Sequence, residues 1–252
     1  MEIYQDFAEV YDALTEDVTY ENTVEYLEEI FKKHYDKKPK LMLELACGTG
    51  SITKLLSEKG YDMIGVDLSE EMLNVAREKC DENVLLLNQD MTEFELYGTV
   101  DVIMCLLDSI NYITEPEKLQ KMFVLAENYL EYGGLFVFDI NSAYKLKNVI
   151  AENTFIRETE HIYSVWENEQ DIPFVHFILN FFVENPEGSY ERFYEEHTER
   201  IYETDVIISM LKNAGFENIM TYAENSFDAP DDKTERIYFV ANKRKKREIN
   251  EI

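Results

Sequence analysis

Four acidic side chains follow apolar runs in the first half of the chain: Glu44, Asp67, Asp90 and Asp108. Each run has the length and composition of a buried strand, so each acid is expected at, or just beyond, the carboxyl end of a strand. Carboxylates can accept hydrogen bonds from hydroxyl and amino groups, and they favour a cationic ligand. Because ligands of open α/β sheets bind beyond these strand ends, the acids predict a ligand-binding edge.

The first acid, Glu44, precedes a turn of small residues over Ala46–Gly50, which a helical pattern follows at once. A strand, a glycine turn and a helix form a site where backbone can approach a ligand closely. A dinucleotide-binding turn would carry a third glycine where this chain has Thr53, and Glu44 would repel a pyrophosphate. The ligand is therefore predicted to lack a pyrophosphate and to carry a positive group. If the ligand contains a ribose, Asp67 is placed to accept hydrogen bonds from the ribose hydroxyls.

The elements that must position these residues alternate along the chain. Near-continuous apolar runs predict five strands with helices between them, which indicates a parallel sheet covered on both faces. Gly133 and Gly134 are expected to end the helix before the fifth strand. Two further strands are expected at Ile219–Tyr222 and Ile237–Val240. The predicted fold class is α/β, with a doubly wound, mostly parallel seven-stranded sheet.

Aromatic and β-branched residues dominate a segment after the fifth strand. Turn signals divide it into three extended stretches: Ile156–Trp166, Phe174–Val183 and Tyr190–Tyr202. We predict an antiparallel β insertion over 150–202 that acts as a lid. The remaining domain predictions are an N-terminal helical cap over 1–38, an α/β core over 39–149 and 203–242, and a disordered basic tail over 243–252.

The composition limits the kinds of partner that the chain could bind. The 252-residue chain has a formal net charge of −28, which disfavours binding of nucleic acid or of an acidic membrane over a broad surface. Its three cysteines are widely separated and show neither disulfide nor metal-type spacing. The first ten residues lack the basic region of a signal peptide, and no apolar run has membrane-spanning length. These features predict a cytoplasmic protein without a metal site, whose oligomeric state stays open.

Three motifs, taken together and in order, resemble those of class I S-adenosylmethionine-dependent methyltransferases. Glu44–Gly50 is similar to the first motif, Asp67–Ser69 with Met72 and Leu73 to the second, and Gln89–Met91 to the third. Ala46 stands where many members have glycine. Tyr4–Asp12 and Leu107–Tyr112 resemble a bacterial branch of small enzymes in this superfamily. The resemblance implies a Rossmann-like methyltransferase fold, the cofactor S-adenosyl-L-methionine, and methyl transfer to a nitrogen or oxygen atom of a small-molecule acceptor.

The resemblance also implies which residues contact the cofactor. Its methionine end would be bound by the acid before the turn, the small residues of the turn and two tyrosines near the amino terminus: Glu44, Ala46, Gly48, Gly50, Tyr4 and Tyr11. Asp67 would hold the ribose, and Asp90 would accept a hydrogen bond from the adenine amino group. The remaining contacts would come from residues near these acids and from two residues beside the sulfonium: Leu68, Met72, Met91, Leu106 and Asp108.

Other functions stay open at this stage. An RNA acceptor such as tRNA is weakly favoured by the basic stretch Lys243–Arg247 and opposed by the net charge. A nicotinamide-dependent reductase is disfavoured by Thr53 and Glu44, and a regulator that binds the cofactor without catalysis is a further alternative. No catalytic base is identified, although four residues of the insertion could face the acceptor: Arg192, Tyr194, His197 and Arg200. An exposed strand with paired charges explains the same four residues.

Overall fold

The computed structural model describes residues 19–159 and 161–245. Its helices are α1 (Tyr20–His34), α2 (Ser51–Glu58), α3 (Glu70–Lys79), α4 (Pro116–Tyr129) and α5 (Thr204–Ala214). Its strands are β1 (Leu41–Leu45), β2 (Asp62–Asp67), β3 (Leu85–Asn88), β4 (Val100–Cys105), β5 (Leu130–Asn141), β6 (Thr154–Glu158), β7 (Ile162–Asp171), β8 (Phe174–Glu184), β9 (Tyr190–Arg200), β10 (Phe216–Ala223) and β11 (Arg236–Lys243). A 3-10 turn spans Ser109–Tyr112, and a π-helical turn spans Lys145–Ile150.

Seven strands form one sheet in the order β10-β11-β5-β4-β1-β2-β3. The strands from β5 to β3 in this order are parallel, whereas β11 runs antiparallel to β5 and β10. The predicted α/β class and the mostly parallel seven-stranded sheet are confirmed. The strand order reverses between β1 and β4, which places a crevice beyond the carboxyl ends of these two strands.

The sheet is covered on both faces by helices with apolar stripes. Successive residues of β1 point to opposite faces, so Met42 packs in the cluster with α1 and α2, and Leu43 in the cluster with α4 and α5. Phe31 of α1 and Phe123 of α4 are buried representatives of the two clusters. This two-sided burial explains why the strands are apolar along nearly their whole length.

The boundary between α4 and β5 differs from the prediction. Helix α4 ends at Tyr129, and Leu130 begins β5 directly, so the two glycines do not stop the helix. Gly133 and Gly134 lie inside β5, where its pairing with β4 shifts register. A Cβ atom at Gly134 would lie 3.1 Å from the Asp101 carbonyl oxygen. The glycines therefore permit an irregular part of a strand.

A separate antiparallel sheet, in the order β6-β7-β8-β9, lies between β5 and α5 in the chain. The predicted stretch Ile156–Trp166 is two strands rather than one. The chain reverses between them, and the Thr159 N–H donates to the Ile162 carbonyl at 2.8 Å. As a result, Phe155 of β6 pairs with Trp166 of β7, and the sheet has four strands instead of three.

The predicted basic tail begins inside the fold. Lys243 is the last residue of β11, and its Nζ donates to the Glu127 carbonyl at 2.7 Å. Arg244 and Lys245 form ion pairs with acidic side chains of β10 and of the segment after α1. Residues 1–18 and 246–252, the outer parts of the predicted cap and tail, lie outside the described residues. Within the described part, no helix is long and apolar enough to cross a membrane.

Candidate functional site

The carboxyl ends of β4, β1, β2 and β3 lie side by side. Strand β1 pairs with both β4 and β2 as far as Leu45, and β3 continues the row. Main-chain hydrogen bonds join the segments beyond the strands. The Cys47 N–H donates to the Val66 carbonyl, and the Gln89 N–H donates to the Asp67 carbonyl, each at 3.0 Å. The segments that carry the predicted acids therefore share one edge.

The turn after β1 has left-handed backbone at Ala46 (φ +54°), Gly48 (φ +53°) and Gly50 (φ +75°). A Cβ atom at Gly50 would lie 3.0 Å from the Ala76 Cβ, so this glycine permits close packing of α3. A Cβ atom at Gly48 would meet nothing within 4 Å. The space beside Gly48 can admit a ligand to the backbone of the turn.

Asp67 closes the turn from the end of β2. Its Oδ2 accepts the Gly48 N–H, and its Oδ1 accepts the Ser69 N–H, each at 2.8 Å. Burial raises the pKa of Asp67, and these backbone donors act against the rise. The Leu68 N–H acts on the same carboxylate, which has about four acceptor positions, so capacity remains for a ligand hydroxyl group.

Glu44 is almost completely buried next to the turn, with 4% of its surface exposed. Its Oε2 accepts a hydrogen bond from the Thr53 hydroxyl. Burial raises the pKa of Glu44 to about 8; the bond from Thr53 lowers it, and the negative charge of Asp67 raises it further. Thr53 is thus the partner of Glu44 at the position where a dinucleotide-binding turn would have glycine. A cation bound beside the two carboxyl groups would favour the ionised form of Glu44.

The second and third motifs continue along the same edge. Leu68 is 72% exposed, whereas Met72 is half-buried in the first turn of α3. Asp90 Oδ1 accepts hydrogen bonds from the Thr92 N–H at 2.7 Å and from its hydroxyl at 2.8 Å, so this oxygen closes a turn. Met91 lies with its sulfur 3.9 Å from the thiol of Cys105, beside the end of β4.

The segment beyond β4 is held in an unusual conformation. Leu107 (φ +55°) and Asp108 (φ +54°) are both left-handed, which costs about 1–3 kcal/mol for each non-glycine residue. Asp139, completely buried in β5, accepts the N–H groups of Leu107 and Asp108 at 2.8 and 3.0 Å. Arg236 of β11 donates to Asp108 at 2.5 Å and also pairs with Asp139. Leu106, just before this segment, is buried in the core. Asp108 is therefore already bound by a partly buried cation.

The four-stranded sheet meets the core through the last part of β9. Asn141 Nδ2, at the end of β5, donates to the two carboxyl oxygens of Glu199 at 3.2 and 3.0 Å. Asn111 of the 3-10 turn donates to the carbonyls of Asn141 and Arg200 at 3.2 and 3.1 Å. Both asparagines are buried, and Glu199 is 1% exposed. These contacts anchor β9 at the edge that holds the acids.

The four polar residues of the insertion that could face an acceptor differ in their surroundings. The ring of His197 packs edge-on against that of Tyr112, with 5.8 Å between their centroids. Arg200 donates to a core carbonyl at 3.0 Å. Arg192 donates to an amide oxygen of β8 at 2.9 Å, and Tyr194 pairs with a glutamate of its own strand. Contacts with the core are thus made by His197 and Arg200.

The remaining predictions concern residues at the margins of this site. Tyr4 and Tyr11 lie outside the described residues. Cys47 and Cys105 are free and buried, and burial raises the pKa of both thiols. No group of three or more His, Cys, Asp or Glu side chains that could hold a metal ion occurs among residues 19–159 and 161–245.

Comparison with known proteins identifies the family. Residues 42–134 match a methyltransferase domain family. YqeM of Bacillus subtilis (strain 168), a protein named as a methyltransferase, is 34% identical over 96% of this chain and 98% of its own length. An S-adenosylmethionine-dependent methyltransferase from Clostridium acetobutylicum ATCC 824 has a crystal structure that matches with a TM-score of 0.87 and 35% identity, over 96% of this chain and 99% of that one. This chain belongs to the class I S-adenosylmethionine-dependent methyltransferases. The resemblance inferred from the three motifs is confirmed, and the reductase alternative is set aside.

More distant structures share the fold of this methyltransferase. CalS10, an amino pentose methyltransferase from Micromonospora echinaspora, matches with a TM-score of 0.77 and 18% identity, over 93% of this chain and 96% of that one. The sugar N-methyltransferase KedS8 from Streptoalloteichus sp. ATCC 53650 matches with a TM-score of 0.79 and 20% identity, over 93% of both chains. At this level of identity, the two structures support the fold assignment alone.

The residues at the strand ends of the methyltransferase fit its cofactor. S-adenosylmethionine carries a sulfonium cation, an amino group and two ribose hydroxyls. The open space beside Gly48 suits a group that lies on the turn, and the free acceptor positions of Asp67 suit hydroxyls. Glu44 adds a carboxyl group to this part of the site. Chemically suitable partners are thus present for the ribose hydroxyls and for the amino group.

Several residues around the methyltransferase site were not recognised from the sequence. Asp139 has the same signal as the four acids, because it directly follows the fifth predicted strand, but it is not among the predicted site residues. Arg236 had no local signal, since it meets Asp139 across 97 positions of the chain. The same is true of Glu199, which lies 58 positions from Asn141. Only the packing of distant segments brings these groups to the site.

Proposed function

We propose that this methyltransferase transfers a methyl group to a nitrogen or oxygen atom of a small-molecule acceptor, bound between the strand ends and the four-stranded sheet. The observation that carries the proposal is the anchoring of β9 beside the end of β4. Tyr112 contacts His197, and Asn111 donates to the Arg200 carbonyl at 3.1 Å. Residues 150–202 would therefore act as a lid that leaves room for a small acceptor and excludes bulk water.

The charges beside this space support a small acceptor over RNA. Arg236 is bound by Asp108, and Arg200 donates to a core carbonyl, so both cations have internal partners. Glu199 and Asp108 add acidic groups to the same region, in a chain whose formal charge is −28. RNA binding depends on cations that can neutralise phosphates. CalS10 and KedS8 are methyltransferases of an amino pentose and of a sugar nitrogen, which makes amines the first acceptors to test.

The bound cofactor supplies a methyl group activated by its sulfonium sulfur. We assign Asp67 to the ribose hydroxyls, the backbone at Gly48 to the methionyl group and Glu44 to the region of its amino group. Asp90 is assigned to the adenine amino group through the oxygen that does not cap the turn, with Met91 beside the ring. The remaining predicted contacts keep the assignments made from the sequence: Ala46, Gly50, Leu68, Met72, Leu106, Asp108, Tyr4 and Tyr11.

The protein's own contribution to the reaction is orientation and exclusion of water. The acceptor atom must approach in line with the bond that breaks, and a misplaced acceptor loses much of the rate. The pairing of Arg236 with Asp108 and Asp139 would keep the segment after β4 in place.

Free thiols at Cys47, Cys80 and Cys105 support a location in the reducing cytoplasm.

The cofactor assignment is tested by calorimetric titration of S-adenosylmethionine into wild type, Asp67→Ala and Asp62→Ala. Asp62 begins the same strand and is exposed at the other end, so it controls for the loss of an acid from β2. We expect the affinity to fall about tenfold or more in Asp67→Ala, equivalent to about 1.4 kcal/mol, and to be unchanged in Asp62→Ala. Equal affinity in all three proteins would remove the ribose assignment.

The acceptor class is tested by transfer of a labelled methyl group. Wild type is incubated with labelled S-adenosylmethionine and, in separate reactions, with amino sugars, amino acids, polyamines, phenols and bulk tRNA. Label recovered on the nitrogen or oxygen of a small molecule supports the proposal. Label recovered only in tRNA, or in none of these acceptors, overturns it.

A further inference from the structure

His197 lies next to the anchor of the four-stranded sheet. Glu199, two residues further along β9, is the residue bound by Asn141. Because residues two apart in a strand share a face, His197 points in the same direction as Glu199 from a position about 7 Å away. Its ring packs against Tyr112 with an angle of 77° between the ring planes. His197 is therefore on the side of the sheet that meets the core.

Tyr112 connects His197 to the end of β4. It is the last residue of the 3-10 turn that Asp108 precedes, and Asp108 is the residue assigned to the sulfonium side of the site. Tyr112 is 42% exposed and His197 is half-buried, so neither ring is fully enclosed by the protein. The two rings therefore lie one turn away from the residue assigned to the sulfonium side of the site.

The surroundings of His197 favour its neutral form. Burial lowers the pKa of the imidazole. In β8, the residue paired with His197 is Phe177. From the core, Tyr112 contacts His197, and Tyr112 lies in the turn that Asp108 precedes. The charged groups on its own face of β9 are Glu195 and Glu199. A neutral imidazole has one ring nitrogen that can accept a proton, which an imidazolium lacks.

The acidic groups nearby are less suited to accept a proton from a substrate. Glu199 is almost completely buried, and Asn141 Nδ2 donates to both of its oxygens. Asp108 is bound by Arg236 at 2.5 Å. Within the described part of the chain, no hydrogen bond engages the ring nitrogens of His197. Compared with Glu199 and Asp108, His197 combines contact with Tyr112 and an acceptor atom that remains available.

We propose that His197 accepts the proton that the methyl acceptor loses, an inference that rests on the proposed function. The nitrogen or oxygen of the acceptor forms its bond to the methyl carbon as the carbon–sulfur bond of the sulfonium breaks. The electron pair of that bond stays on the sulfur. The proton of the acceptor passes to the available ring nitrogen of His197 and from there to water.

The test compares the pH dependence of kcat/KM in wild type, His197→Gln and His176→Gln. His176 is the matched control, because it is a half-buried histidine on the other face of the same sheet, with Nδ1 2.9 Å from the Thr198 hydroxyl. The acceptor is an amine or hydroxyl compound that wild type methylates in the screen above. We expect wild type and His176→Gln to lose activity on the acidic side, where His197 becomes protonated, and burial of His197 places this loss at a lower pH than for an ordinary imidazole, because it lowers the pKa of the ring. His197→Gln should be slower by about 10²-fold or more and should lack this acidic limb.

Two further measurements separate proton transfer from a structural role. S-adenosylmethionine affinity should be the same in wild type and His197→Gln, and added imidazole should partly restore the rate of His197→Ala. With an amine acceptor, deprotonation of the amine itself adds a second change in the pH profile of kcat/KM, at alkaline pH. This change should persist in every variant.

The outcomes distinguish this inference from the proposed function. Normal kcat/KM and an unchanged acidic limb in His197→Gln would overturn the inference and leave the proposed function standing. Loss of cofactor binding in His197→Gln, with no rescue of His197→Ala by imidazole, would also overturn it, because it would indicate a structural role. If wild type methylates no small molecule, the proposed function fails and the inference fails with it.

Discussion

The guanidinium of Arg236 lies 2.5 Å from Asp108 Oδ1 and joins the last strand of the sheet to the segment after β4. It also pairs with Asp139, which accepts the N–H groups of Leu107 and Asp108. Burial raises the pKa of Asp139, and the positive charge of Arg236 acts against this rise. Arg236, far along the chain, therefore supports a left-handed backbone segment at the edge where the cofactor is proposed to bind.

Replacement of Arg236 with Met is predicted to destabilise the protein by about 3–5 kcal/mol, because it leaves the buried carboxylate of Asp139 without a cation. Arg244→Met is the matched control. Arg244 pairs with Glu217 at 2.6 Å on the exposed surface, so its loss should cost less than about 1 kcal/mol. Unfolding in urea gives both values. Similar small losses in the two variants would contradict a role for Arg236 in a buried network.

Alanine at Gly48 should weaken cofactor binding by more than its effect on folding predicts. Gly48 (φ +53°) and Gly188 (φ +77°) are both left-handed, and a Cβ atom at either position would meet nothing within 4 Å. Each alanine variant should therefore lose about 1–2 kcal/mol of stability through backbone strain. Gly48→Ala alone should reduce the affinity for S-adenosylmethionine, by about tenfold or more. Calorimetry on both variants tests this, and equal affinities would show that Gly48 does not border the cofactor.

The buried carboxyl of Glu44 should make stability depend on pH. Its pKa is about 8 in the folded protein and near 4.5 when unperturbed. Between these values the unfolded chain loses a proton that the folded protein keeps, so the free energy of unfolding falls as pH rises from about 4.5 to about 8 and then levels off.

Glu44→Gln should lack this contribution and be more stable than wild type at pH 8, since an amide can still accept the bond from Thr53. Urea unfolding between pH 5 and 8 measures the difference, with the exposed Glu58→Gln as control. If the difference in free energy of unfolding between Glu44→Gln and wild type does not change with pH, ionisation of Glu44 does not contribute to stability.

Asn111 should control how firmly β9 is attached to the core. Its Nδ2 donates to the Asn141 and Arg200 carbonyls, and its Oδ1 accepts the Asn141 N–H at 3.0 Å. Asn111→Ala leaves these buried groups without partners, at a cost of about 1–3 kcal/mol for each unsatisfied group. Hydrogen exchange in β9 should become faster than in wild type, with exchange in β1 much less affected. Asn180→Ala, which removes a contact with Arg192 inside the four-stranded sheet, is the control, and unchanged protection of β9 in Asn111→Ala would contradict the anchoring role.

The placement of the strand-end acids at one edge could be predicted because their signals are local. Glu44 and the glycine turn lie within one strand–turn–helix unit, and Asp67 ends the next strand. In a parallel sheet the carboxyl ends of neighbouring strands lie at one edge, so no further information was needed to bring these residues together. The division of the insertion was harder to predict, because the turn between Glu158 and Ile162 contains neither glycine nor proline.

By itself, the sequence determined the alternation of strands and helices, the glycine turn and the acids that accompany it, because apolar periodicity and turn chemistry act over a few residues. Only the tertiary structure decided that Arg236 binds Asp108 and that Asn141 binds Glu199. These pairs join segments that are distant in the chain, and their distances depend on the order of the strands and on how the inserted sheet packs. The residues proposed to bind the cofactor could therefore be predicted from motifs, whereas the proposed acceptor side depends on how β9 packs against the turn after β4.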